Sequence, residues 1–107
     1  MKEAARRKQP RTVNGKLGRR VGVDSAAALL LRSGLERHRA GDLAAAAGVY
    51  ETVLKHDPRN PDALHLLGVA CLQTGRAGDA VDLIRRAIAG DPGNAEYFGN
   101  LAAALLR

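Results

Sequence analysis

Cysteine, tryptophan and aromatic residues in general are scarce in this sequence. Its 107 residues include one cysteine, no tryptophan, two tyrosines and one phenylalanine. A single cysteine excludes an internal disulfide framework, and three aromatic side chains leave little from which to build a cofactor pocket. The longest aliphatic runs, residues 26–31 and 101–106, are six residues long, whereas a membrane-spanning helix needs about 20. We therefore expect a soluble, cytoplasmic protein with no membrane span and no cofactor.

Positive charge is concentrated at the amino terminus. Residues 1–24 contain eight Lys and Arg residues and two acids, whereas residues 25–107 contain nine of each sign. Because residues 1–24 have no sustained apolar period, they are predicted to form a disordered basic tail. This tail could attract nucleic acid or an anionic membrane, but no aromatic residue stands among its charges to stack on bases. A solvated leader is the simpler interpretation. A mitochondrial presequence is disfavoured by Glu3 and by the lack of serine before Ser25.

After the tail, the chain repeats with a period of 34 residues. The residues that recur are those with consequences for the backbone or for packing. The matched residues are Leu30 and Leu64, Gly34 and Gly68, Gly41 and Gly75, Ala46 and Ala80, Pro58 and Pro92, and Asn60 and Asn94. The predicted domain, residues 25–107, therefore contains one repeat over 27–60, a second over 61–94 and part of a third over 95–107.

The recurring residues predict helix boundaries. Asn60 is a favourable N-cap, and Pro61 suits the first helical position, where its missing N–H is not needed. Gly41 and Gly75 interrupt the helical pattern in mid-repeat and predict a tight connection between two helices. Together these signals predict five helices and no convincing strand. The predicted helices cover about residues 26–39, 43–56, 61–74, 77–89 and 95–106.

A 34-residue unit of two helices with these recurring residues resembles the tetratricopeptide repeat. Residues 61–94 match the signature positions of that family well, with Cys71 and Ile84 standing where a larger aromatic is common. In residues 27–60, Ser33 and Arg37 depart from the pattern. The resemblance implies an all-α fold, a right-handed stack of antiparallel helix pairs of about two and a half repeats. It also implies a non-catalytic scaffold that binds a protein or peptide in a concave groove.

The resemblance assigns groove residues by their position on the first helix of each repeat. Leu31, Leu35, His65 and Val69 occupy the places where some members carry a clamp for a peptide carboxylate, so that clamp is not supported. Gly99 and Ala103 also fall on this face in the partial third repeat. The predicted partner-binding residues are Leu31, Leu35, His38, Arg39, Asp62, His65, Val69, Leu72, Gln73 and Asn100.

A second, narrower resemblance concerns the last repeat. The run from Pro92 to Leu105 is similar to tetratricopeptide arrays attached to bacterial glycosyltransferases of the O-linked N-acetylglucosamine transferase type. In that family, asparagines recur along the groove and hold the substrate backbone. Asn100 stands at such a place, while its counterparts Leu66 and Arg32 do not match. The alternative function is therefore a non-catalytic amino-terminal piece of such an enzyme.

No set of residues in the sequence predicts catalysis or metal binding. Cys71 falls on the apolar face of its helix with no histidine nearby in sequence, which is typical of a small buried hydrophobe. His38, His56 and His65 lack the close pairing of a zinc site. We therefore expect neither enzymatic activity nor a metal in this chain.

The last predicted helix carries apolar side chains on the side where a next helix would pack. Phe98, Leu101 and Leu105 lie on this side. Repeats of this kind bury their apolar faces against neighbours, and three or more units are generally needed for stability. We therefore expect residues 95–106 either to be covered by another chain, self-association included, or to be continued in a longer protein.

Overall fold

A computed structural model describes the backbone of residues 15–107 and the side chains of residues 26–107. Within this part of the chain there are five helices and no strand, which confirms the predicted all-α architecture. Apart from the start of the first helix, every helix end lies within one residue of its predicted position. The helices are α1 (Gly15–Arg39), α2 (Leu43–His56), α3 (Pro61–Gln73), α4 (Ala77–Gly90) and α5 (Ala95–Leu105).

The first helix begins earlier than the sequence predicts. It starts at Gly15 rather than near residue 26, so its first ten residues belong to the segment predicted as a disordered tail. The remainder of that segment, residues 1–14, lies outside the described residues. The physical reason for the difference is cooperativity, because a packed helix can be extended by one hydrogen bond for each residue that it adds.

Side-chain caps fix the starts of three helices. Asp42 Oδ1 accepts a hydrogen bond from the Ala45 amide at 3.1 Å. Asn60 Oδ1 accepts one from the Ala63 amide at 3.0 Å, as its predicted role as an N-cap requires. Asn94 Oδ1 accepts one from the Glu96 amide at 3.1 Å. The start of α4 lacks a side-chain cap, but Arg76 there forms an ion pair of 2.9 Å with Asp79 in the first turn.

Two glycines make the tight connections within the repeats. Gly41 and Gly75 have φ values of 87° and 85°, in the left-handed region where other residues are strained. The amide after each glycine bonds back to a helix carbonyl, as Arg76 does to Cys71 O at 2.8 Å. This arrangement is a Schellman cap, and it turns the chain so that the following helix packs back on the preceding one.

Each repeat is held together by the close approach of its two helices. A Cβ atom on Gly34 would stand 2.5 Å from Tyr50 Cε1, and one on Gly68 would stand 2.8 Å from Ile84 Cγ1. Both glycines therefore allow a large side chain of the partner helix to lie against their backbone. Tyr50, Ile84, Leu64 and Tyr97 are the largest fully buried side chains. The core thus runs through both repeats and reaches α5.

Candidate functional site

The stack is curved, with α1, α3 and α5 on the inside. These three helices contact each other in sequence order, whereas no Cα atoms of the outer helices α2 and α4 come within 8 Å of each other. Because the inner spacing is smaller than the outer spacing, the face formed by α1, α3 and α5 is concave. The predicted groove residues all belong to these three helices.

Three side-chain contacts of equal sequence separation cross the concave face. His38 pairs with Gln73, Asp62 with Tyr97 and His65 with Asn100, each across 35 residues. Each contact joins one inner helix to the next. The three contacts therefore form a row of polar cross-links along the groove. Each joins a residue to one that lies 35 positions later, which is one position more than the repeat period.

His65 lies at the centre of this row, on α3. Its ring is 3% exposed and lies against the Tyr97 ring, with centroids 4.5 Å apart. Asn100 Nδ2 donates a hydrogen bond to His65 Nε2 at 2.7 Å, so the neutral ring carries its proton on Nδ1. Burial lowers the pKa of His65, although the carboxylates of Glu96 and Asp62 act in the opposite direction. His65 is therefore a neutral hydrogen-bond acceptor that orients the Asn100 amide.

Tyr97 connects the same region to Asp62. Its hydroxyl donates to Asp62 Oδ1 at 2.6 Å, while its ring is 1% exposed. Burial raises the pKa of Tyr97 well above its ordinary value, and the hydrogen bond to Asp62 adds to the effect. The phenol therefore stays protonated and holds the Asp62 carboxylate at the rim of the groove.

His38 makes the corresponding link at the other end of the row. Its Nε2–H donates to Gln73 Oε1 at 2.6 Å, and its Nδ1 accepts from the Tyr50 hydroxyl at 3.3 Å. This pair of bonds assigns the proton to Nε2. The exposed Gln73 is thus held by a histidine that is itself held by a buried tyrosine.

The predicted site residues fall into three exposure classes. Most are accessible, and three of those on α1, namely Leu31, Leu35 and Arg39, line a shallow depression of about 500 Å³. Two are instead buried, since Leu72 is 6% exposed within the core and His65 is covered by Tyr97. Half-buried residues are Leu31, Leu35, His38, Val69 and Asn100, and exposed ones are Arg39, Asp62 and Gln73.

His65 and Leu72 therefore support the groove from beneath, a correction to their predicted place on its surface. Sequence position on one helix does not reveal that a ring from the next repeat covers it. Tyr97, which the prediction missed, is the residue that does so. Tyr97 stands one period after Ala63, and both are buried in the structure, but the sequence alone carried no signal of that burial.

A second groove lies on the outer face, in the gap between α2 and α4. Its volume is about 510 Å³, and α3 forms its floor with Leu67, Ala70 and Cys71. Cys71 is a free thiol whose burial confirms its predicted character as a small buried hydrophobe, and burial also raises the pKa of this thiol. The rim mixes acids and arginines, and Arg76 is tied to Asp79. This gap is a consequence of the curvature.

Metal ligands do not converge in residues whose side chains the structure describes. No three His, Cys, Asp or Glu side chains among them are placed to hold an ion. None of the described helices combines the length and the apolar character needed to cross a membrane.

Comparison with known proteins agrees with the helical repeat. A family model described as tetratricopeptide repeat matches residues 31–95. The chain belongs to the tetratricopeptide repeat family. Its fold is of the kind that supports a scaffold or protein-interaction role, and repeats of this kind are generally non-catalytic.

Among solved structures, the chain is similar to a mutant of the O-GlcNAc transferase of Thermobaculum terrenum. The two are 42% identical, with a TM-score of 0.74. The match covers 77% of this chain but only 16% of that chain, so this chain spans a small part of the protein it resembles. A search of the curated proteins found no match.

Proposed function

We propose that this tetratricopeptide chain is a non-catalytic scaffold that binds an extended protein or peptide segment along its concave face. The observation that carries the proposal is the row of cross-linked polar side chains on α1, α3 and α5. Polar groups held in place lose little conformational entropy when they bind a ligand, which favours their use in recognition.

The composition of the groove indicates the chemistry of the segment. Leu31, Leu35 and Val69 offer half-buried apolar surface, whereas Gln73 and Asn100 offer amide groups that can pair with a peptide backbone. Arg39 and Asp62 carry opposite charges. A segment with apolar side chains and little net charge fits this face better than a strongly acidic or basic one.

A second candidate function is favoured by the 42% identity to the Thermobaculum enzyme. In this alternative the chain is the non-catalytic tetratricopeptide part of a larger glycosyltransferase of the O-linked N-acetylglucosamine transferase type. The groove would then present a substrate protein to a catalytic region elsewhere. Asn100 is the groove residue that the second resemblance assigns to backbone binding, and His65 holds its amide in place.

Location and the role of the tail form a minor part of the proposal. A cytoplasmic location is part of the proposal, in keeping with a chain whose single cysteine gives no sign of a disulfide framework. Nucleic-acid binding, if it occurs, would involve the basic residues 1–24, and its affinity would then fall steeply with salt.

The groove can be tested with a library of linear peptides displayed on phage and selected against the full chain. Selected peptides are synthesised and their affinity is measured by calorimetry for the original chain and for Val69→Asp. We expect Val69→Asp to weaken binding by about tenfold or more, because it places an unpaired charge on the apolar part of the groove.

The matched control is Val49→Asp, which changes the same residue type at a half-buried position of the outer helix α2. Circular dichroism of both variants establishes that they remain helical. If Val69→Asp binds the selected peptides as well as the original chain does, or if Val49→Asp weakens binding equally, the concave face is not the binding surface.

A further inference from the structure

Two histidines on the inner helices each hold an amide side chain of the next inner helix, and they engage opposite ends of the amide group. Nε2 of His38, on α1, contacts the side-chain oxygen of Gln73, on α3, at 2.6 Å. Nε2 of His65, on α3, contacts the side-chain nitrogen of Asn100, on α5, at 2.7 Å. The two histidines therefore differ in which ring nitrogen carries the proton.

The proton of His38 lies on Nε2 because of Tyr50. The Tyr50 side chain is fully buried, and its hydroxyl has one partner among the described residues, His38 Nδ1 at 3.3 Å. A buried hydroxyl with no other acceptor donates to this nitrogen, since an unsatisfied donor costs free energy. Because Nδ1 accepts, Nε2 carries the proton and donates it to Gln73 Oε1.

His65 has the opposite arrangement. Its Nε2 accepts a hydrogen bond from Asn100 Nδ2, so its proton lies on Nδ1. The histidine is 3% exposed, and the Tyr97 ring lies against it with centroids 4.5 Å apart. Close packing of this kind leaves the ring little freedom to turn over. The Asn100 amide is therefore held with its nitrogen toward the histidine.

Each histidine leaves the other half of its amide available to a ligand. The oxygen and the nitrogen of a planar amide lie on separate branches, so a contact to one branch leaves the other directed elsewhere. Gln73 Nε2 and Asn100 Oδ1 have no hydrogen-bond partner among the residues whose side chains the structure describes. Gln73 is exposed and Asn100 is half-buried. The concave face thus offers a fixed donor on α3 and a fixed acceptor on α5.

On the basis of the proposed function, we propose that His38 and His65 are positioning residues that set these two amides in opposite senses. The bound segment places a backbone carbonyl on Gln73 and a backbone N–H on Asn100. An extended peptide offers both groups whatever its side chains are. A reversed amide would bring donor to donor or acceptor to acceptor, so the histidines determine which main-chain group binds at each place.

The placement of the two protons can be tested without a ligand. Two-bond ¹H–¹⁵N NMR of the full chain, labelled with ¹⁵N-histidine, reports which ring nitrogen is protonated at about pH 8, above the ordinary histidine pKa of about 6.5. His38 should be protonated on Nε2 and His65 on Nδ1, with signals assigned from the variants His38→Gln and His65→Gln. Protonation of the same ring nitrogen in both residues would overturn the proposal.

Two isosteric substitutions test the opposite senses with a ligand. Gln73→Glu and Asn100→Asp each replace an amide nitrogen by oxygen and add one negative charge. Gln73→Glu turns the free donor into an acceptor that faces a carbonyl, whereas Asn100→Asp keeps its free acceptor and lets His65 move its proton to Nε2. In calorimetry with the phage-selected peptides, Gln73→Glu should therefore weaken binding at least about fivefold more than Asn100→Asp does. Equal losses would overturn the proposal.

Ester analogues of the same peptides test the role of His65, because each ester lacks one backbone N–H. One analogue should bind the original chain about threefold or more weakly than its parent peptide, since Asn100 Oδ1 loses a donor. This penalty should shrink in His65→Phe, which keeps a ring against Tyr97 but cannot hold the amide. It should persist in His56→Phe, the same change at an exposed histidine of α2. Circular dichroism checks that both variants are helical, and an unchanged penalty in His65→Phe would overturn the positioning role.

The experiments distinguish failure of the histidine assignment from failure of the proposed function. If no peptide binds the concave face, as judged with Val69→Asp, the proposed function is wrong and the roles of both amides are wrong with it. If peptides bind there but Gln73→Glu and Asn100→Asp weaken binding equally, the proposed function stands and the opposite senses of the amides are wrong.

Discussion

Helices α1 and α3 are equivalent parts of successive repeats, yet they are buried to very different extents. Seven residues of α3 are buried. Among the described side chains of α1, residues 26–39, Gly34 alone is buried. Leu30 and Leu64 occupy the same repeat position, but Leu30 is only half-buried while Leu64 is 1% exposed.

This difference reflects position in the stack. Helix α3 has α2 before it and α4 and α5 after it, whereas α1 has described neighbours on one side only. In repeat architectures, stability is approximately a sum of the repeats' own stabilities and the contacts between nearest neighbours. The first repeat should therefore be less stable than the second, and the following variants test that comparison.

The largest contrast is expected for truncation of the equivalent leucines. Leu64→Ala should lower the free energy of unfolding by about 2–5 kcal/mol, because it leaves a cavity between α3 and α4. Leu30→Ala should lower it by less, since the wild-type side chain is already partly in water. Urea unfolding followed by circular dichroism measures both values. Equal losses of unfolding free energy at the two positions would contradict the prediction that the first repeat is less stable than the second.

Substitution of the contact glycines should have the next largest effect. Gly34→Ala and Gly68→Ala each force a methyl group against a buried side chain, Tyr50 or Ile84, and should destabilise the chain by about 1–3 kcal/mol. Gly48→Ala is the control, because a Cβ there meets nothing within 4 Å. That control should stabilise the helix by up to about 1 kcal/mol. Thermal unfolding of the three variants ranks them by stability. A Gly68→Ala variant that is more stable than the original chain would contradict the close packing of Gly68 against Ile84.

Removal of helix caps should give a smaller contrast. Asn60→Ala should lower stability by about 1 kcal/mol or somewhat more, since it removes the cap of α3 from a buried site. Asp42→Ala removes the cap of α2 at an exposed site, where water can replace the lost oxygen, and should have a smaller effect. Both are measured by urea unfolding at neutral pH. If Asp42→Ala lowers the free energy of unfolding more than Asn60→Ala does, the second repeat does not depend on its contacts more strongly than the first.

The smallest effect concerns pH. Because burial lowers the pKa of His65 in the folded state, the unfolded chain binds a proton more readily. His65 should therefore reduce stability as the pH falls below about 6.5, the ordinary pKa of histidine, while its neutral form is fully compatible with folding at higher pH. His65→Gln should flatten the dependence of unfolding free energy on pH in this range. An unchanged dependence in His65→Gln would contradict the effect.

The period of 34 residues was sufficient to predict the helices and their connections. Gly41, Gly75 and Asn60 act locally, on hydrogen bonds within a few residues, so their structural roles follow from sequence. Gly34 and Gly68 recur at the same repeat position, and in the structure both lie where paired helices approach closely. The structure contains these features, which confirms the predicted helical repeats. The inner helices α1, α3 and α5 lie together on one concave face.

The exposure of the groove residues could not be predicted in the same way. His65 is covered by Tyr97 and Leu72 by the core, and these contacts depend on how successive repeats stack. Helical periodicity gives the direction of a side chain but not the size of the neighbour that meets it. The start of α1 was also missed, because residues 15–24 lack an apolar pattern although their backbone is helical.

Native-state hydrogen exchange, resolved for each helix of the full chain, tests most directly whether position in the stack determines stability. We predict that amides of residues 61–73 exchange more slowly than their equivalents in residues 27–39 under the same conditions. Equal protection of the two helices, or slower exchange in residues 27–39, would contradict it.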